Sequence, residues 1–119
     1  MRVIFLVRAL IPAAVLAAAG AAPAHHGWTG YDEERTLELT GTVRTPRYEQ
    51  PHGVIQLETA EKTWNVVLAP PTRMQARGLA KEALAAGAKA TVVGYPHLEK
   101  ADELRAERIT VAGKTTELR

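Results

Sequence analysis

Cysteine and serine are both missing from this 119-residue sequence. Without Cys there is no disulfide, no thiolate nucleophile and no acceptor for acylation of the bacterial lipoprotein kind, so the fold must rest on its packed core. Without Ser, nucleophilic catalysis would fall to Thr, which acts only with an adjacent base. No glycine-rich phosphate loop is present. Glu49 and Glu58 are the best available acid–base pair, and nothing in their spacing calls for that role. The expectation is a protein that is not an enzyme. Aromatic residues are scarce too, six in all (Trp 2, Tyr 3, Phe 1), leaving few platforms on which bases could stack.

The longest apolar run, Ala9–Ala19, falls short of the roughly 20 residues a membrane-spanning helix needs. With Arg2 and Arg8 before it and Ala22-Pro23-Ala24 after it, residues 1–24 read as a secretory signal peptide. Cleavage there leaves 95 residues beginning at His25, enough for one domain with its own core. Of the 15 basic side chains, Arg2 and Arg8 leave with the signal, and 13 remain to face 13 acidic ones. That balance argues against nucleic acid, whose binding rests on phosphate neutralisation, and against a polybasic membrane patch. The expected location is periplasmic or secreted, with no membrane span after cleavage.

Residues 25–35 read as an irregular lead-in, in which Trp28 or Tyr31 is placed to dock on the barrel. Residues 36–119 read as one β-domain. Leu37, Leu39, Gly41 and Val43 alternate with polar neighbours, the period of a strand with one buried face. Gly41 at mid-strand suggests a bulge or sharp bend. After the loop Thr45–Gly53 come strands Val54–Thr59 and Thr63–Ala69. Pro70-Pro71 stops the third strand. Thr72, with Gln75 three residues on, has the form of a capping box for a helix over Arg73–Arg77. A second helical piece is expected over Lys81–Ala86, ended by Gly87, with Met74, Leu79 and Leu84 as core plugs. Strands Lys89–Tyr95 and Glu103–Val111 come next, the latter with an alternation slip near Ala106–Arg108 that suggests a bulge. Thr115–Leu118 is a last short extended piece. Three strands, a helix and two strands is the order of an all-β, five-stranded OB-like barrel, with a small antiparallel sandwich as the alternative.

Ala24-His25-His26, the strand Leu39–Val43 and Gln50-Pro51-His52-Gly53 resemble a family of small exported bacterial proteins classed only as a domain of unknown function. So do Trp64–Pro71, Arg77-Gly78-Leu79 and Gly94-Tyr95-Pro96, and the resemblance runs over essentially the whole chain. Gln50 stands where that family's mid-chain motif usually has Asn. The architecture is also similar to that of periplasmic bacterial OB-fold proteins, an analogy of fold alone.

Two sites are expected. With cleavage after Ala24, the α-amine and imidazole of His25 can chelate one ion, and His26 or His52 can add a third nitrogen. Three nitrogens in a near-planar set suit Cu(II), so copper or another transition metal is the candidate cofactor at His25, His26 and His52. The competing explanation for His25 and His26 is a polar tail, and for His52 a turn residue bonded to nearby backbone. The other candidate is a metal-free face on which Arg47, Tyr48 and Trp64 hold a small ligand or an envelope protein. Trp64 also alternates with Val66 and Leu68, which is the period of a core residue. His97 reads as exposed.

Overall fold

The structure, a computed structural model, describes residue 3 and residues 27–119. His25, His26 and the expected signal peptide lie outside the described residues. β1 (Leu37–Arg47) is long enough to serve two partners. Its first half runs antiparallel to β4 (Lys89–Pro96), from Leu37↔Gly94 to Thr42↔Lys89. Its second half runs antiparallel to β2 (Val54–Glu58), from Thr42↔Glu58 to Arg47↔Val54. Gly41 lies where the strand passes from one partner to the other, and a Cβ there would overlap the Glu58 carbonyl oxygen. The expected bulge is not at Gly41, where the register runs unbroken. It falls between Arg44 and Arg47, where Thr45 has φ 39 and Pro46 has no N–H to give the ladder.

β2 and β3 (Thr63–Val67) form a hairpin whose turn is held by Thr59: its Oγ1 accepts from Glu61 N–H (3.3 Å) and Lys62 N–H (3.2 Å). After Pro70 the chain enters α1 (Pro71–Ala76). The expected capping box is absent: Pro70 is the cap, Pro71 begins the helix, and no side chain caps it. Proline's fixed φ already suits the first turn, so the helix starts two residues before Thr72 would have capped it. Gly78, at φ 86, ends it, and Leu79 N–H donates to Met74 O. The second helical piece is a 3-10 turn over Lys81–Leu84 only. Beyond it Ala85 is extended, and Gly87 N–H and Ala88 O bond to the Val43 backbone, which draws the segment out of helix.

Closure comes from β5 (Glu103–Val111), antiparallel to β4 and parallel to β3 at Asn65↔Glu103, Val66↔Leu104 and Val67↔Arg105. The result is a closed five-stranded barrel with one short helix between β3 and β4, the OB-like arrangement. The expected bulge in β5 is present. Val93 pairs with Arg108 and Gly94 with Ala106, leaving Glu107 as the extra residue. The last extended piece is a sixth strand, β6 (Lys114–Glu117), joined to β5 through Ala112 and Gly113, both at positive φ. Met74, Leu79 and Leu84 plug the interior at 0%, 4% and 2% exposure, against Val43, Ile55, Leu57, Val66 and Ile109.

Residues 27–32 cross the outside of the barrel as a strap. Asp32 N–H donates to Pro96 O, Leu98 N–H donates to Gly30 O, and Tyr31 bridges to His97. Trp28, 7% exposed, meets Tyr95 edge-on at 6.0 Å, and the guanidinium groups of Arg105 and Arg119 lie over its ring. Both aromatic residues of the lead-in therefore dock. His97 is half-buried: its Nδ1 accepts from Glu99 N–H and Lys100 N–H, and its ring meets Tyr31 at 5.0 Å.

Candidate functional site

His52 sits in the β1–β2 loop, after a cis Gln50–Pro51 peptide. The loop is tied down at Gly53, whose N–H donates to Ala69 O and whose carbonyl accepts from Leu68 N–H. A Cβ on Gly53 would come within 2.7 Å of Met74 Cε, so the backbone there lies directly on the core plug. His52 is half-buried, and its Nε2 lies 3.2 Å from an Arg105 guanidinium nitrogen. Burial, then the charges of Arg105 and Arg73, push its pKa below the ordinary 6.5. The imidazole is therefore neutral at neutral pH, with Nε2 as the acceptor for the arginine.

Arg105 also donates to the Gly27 carbonyl at 2.5 Å. One guanidinium thus joins the strap to the His52 loop. Arg105 is 6% exposed and forms no ion pair with a carboxylate among the described residues. Its Nε has no hydrogen-bond partner among the described residues. Desolvation lowers its pKa, and Tyr31 beside it acts the other way; a guanidinium stays charged regardless. The Tyr31 hydroxyl donates to Glu103, and burial followed by that bond raises its pKa.

Among the described residues no three His, Cys, Asp or Glu side chains are grouped closely enough to hold a metal ion. His52 lines a cavity of about 220 Å³ with Arg47, Glu49, Gln50, Pro51, Val54 and Val67. Arg47 also borders a second cavity, of about 230 Å³, with Tyr48, Ile55, Lys81, Glu82 and Leu84. The Tyr48 hydroxyl donates to Leu79 O at 2.6 Å, fixing its ring at the cavity wall. Arg47 and Tyr48, neighbours in the chain, thus both line this cavity. Trp64 is not with them: it pairs across from Leu57, three residues along β3 from the Val54↔Val67 end. There it lies half-buried in a groove with Glu38, Thr40 and Ala60, under the Lys62 ammonium at 4.0 Å. Sequence reasoning passed over Arg105, because period-2 alternation puts it on the outer face of β5. The strap and the His52 loop together cover it.

A closed OB-like barrel, strapped across one face and carrying a histidine beside a buried arginine, is the class these features define. Within it, the chain belongs to the family of unknown function DUF6152, which matches residues 13–105. Comparison with curated proteins finds no match. Among solved structures, the chain is similar to a ZRD-deleted mutant of TiaS in complex with agmatine, at 22% identity and TM-score 0.50 over 74% of this chain and 25% of that one. A complex of TiaS with tRNA and ATP is similar at 22% identity and TM-score 0.49, over 74% of this chain and 19% of that one. The chain thus spans between about a fifth and a quarter of those proteins, and the likeness is one of fold.

Proposed function

We propose that the protein is an exported, non-enzymatic binding protein, periplasmic or secreted, that takes copper at its mature N-terminus. His25 and His26 are the primary ligands and His52 assists. One observation carries the reading: the Arg105 guanidinium bonds both His52 and the carbonyl of Gly27, the residue that directly follows His26. This supports a tail held within reach of His52. The lowered pKa of His52 adds support, since a metal ligand must be unprotonated. The Arg105 charge beside it opposes every dication alike, and among divalent ions Cu(II) has the greatest affinity for nitrogen ligands with which to offset it.

The test is copper titration by calorimetry and electron paramagnetic resonance on two preparations. One begins at His25 with a free α-amine, and the other is acetylated there, which removes the His25 α-amine chelate. Binding with a three-nitrogen signal is expected in the first, weakened about tenfold or more by the acetyl group and by His52→Ala. Equal, weak binding in both overturns the metal site. A metal-free module for a small ligand or envelope protein is then the standing reading, favoured by the cavity that Arg47 and Tyr48 share over Ile55 and Leu84.

A further inference from the structure

At the far end of the β4–β5 pair from the strap, beside Ala90↔Val111, a groove of about 600 Å³ opens between the helical segment and the β5–β6 hairpin. That volume is in the range of small-molecule sites. Its walls are Leu79, Ala83, Ala88 and Val111, small or aliphatic side chains that leave an apolar trough. Its polar lining is one-sided. Lys89 and Lys114 border it, and no acidic residue does.

Neither lysine is neutralised. Lys89 Nζ donates to Thr42 Oγ1 at 3.0 Å and Lys114 Nζ to the Gly78 carbonyl at 2.9 Å, both uncharged acceptors. Neither forms an ion pair among the described residues. Thr116 also lines the groove. It is 3% exposed, and its hydroxyl has no hydrogen-bond partner among the described residues. Buried hydroxyl groups are seldom left so, and a polar ligand group or its bound water would complete this one.

We infer that this groove binds a single-chain amphiphile with a carboxylate head, a free fatty acid in chemical class. The apolar trough takes the chain, and the two ammonium groups take the head. Two lysines are too few for a polybasic membrane contact. The inference stands apart from the copper reading, since it uses none of the same residues and lies at the other end of the barrel.

The test is calorimetry on the full protein with laurate, below the concentration at which it forms micelles, beside dodecanol as the uncharged chain of equal length. Laurate is expected to bind at least about tenfold more tightly than dodecanol. Lys89→Gln with Lys114→Gln should reduce laurate to the dodecanol level, and Ala88→Leu should weaken both. Both lysines are exposed, so the double variant keeps the fold and decides the matter even where Ala88→Leu does not fold. No laurate binding, equal affinity for the two, or laurate binding unchanged in the double lysine variant overturns the inference. So does capture on phosphatidylglycerol vesicles without laurate binding in solution.

Discussion

At Arg105, β5 carries a full positive charge under 27–32 of its own chain, and the consequences are read at His52. Burial, Arg105 and Arg73 all disfavour the imidazolium, so the folded pKa lies below 6.5. Well above pH 6.5 neither the folded nor the unfolded imidazole binds a proton, and His52 contributes nothing to pH dependence there. As pH falls below 6.5 the unfolded chain takes up the proton first, and stability drops until the folded pKa is passed. His52→Gln is expected to flatten that part of the stability curve, measured as denaturant midpoints from about pH 7.5 to about pH 5. An unchanged slope would show that His52 is not held neutral. Gly94 is a second residue whose role is physical: a Cβ there would overlap the Arg105 carbonyl oxygen and come within 2.8 Å of Ala106 Cα. Gly94→Ala should cost about 1–3 kcal/mol by overpacking, read from equilibrium unfolding; a neutral effect would mean the β5 bulge yields freely.

The strap is the element with most at stake for the proposed copper site. It is held by Trp28 between two guanidinium groups and by the backbone bonds of Gly30 and Asp32, and not by a regular strand. Trp28→Ala is expected to cost about 3 kcal/mol, the low end for a buried Trp, because the ring packs on the outside of the barrel. The sharper readout is amide exchange. Leu98 N–H, which donates to Gly30 O, should lose protection while Ile55 in β2 keeps its own. Simultaneous loss at both would make the strap part of the barrel's cooperative unit. α1 shows how local chemistry competes within an element: the Thr72–Gln75 spacing suits a capping box, but Pro71 at the first helical position moves the start forward.

At the scale of the whole molecule, the two candidate sites sit at opposite ends of one barrel. The His52–Arg105 junction lies where the strap crosses the β4–β5 pair near Pro96↔Leu104, and the lysine-bordered groove where that pair ends at Ala90↔Val111. Closure depends on the parallel β3–β5 contact, which joins segments about 38 residues apart in sequence. No helix among the described residues is long and apolar enough to cross a membrane.

Strand placement, the plugs Met74, Leu79 and Leu84, and the bulge at Glu107 were legible because each is a matter of inside against outside along one strand or turn. The element order was legible for the same reason, and with it the OB-like barrel. Tertiary structure alone decided the rest. Alternation cannot tell an outward residue in water from one under a strap, so Arg105 beside His52 stayed hidden. It also cannot tell which end of the sheet residues on different strands will share, which is why Trp64 stands apart from Arg47 and Tyr48. The 3-10 turn is short because distant Val43 claims the backbone of Gly87 and Ala88. Such bonds cross between segments, and no local pattern records them.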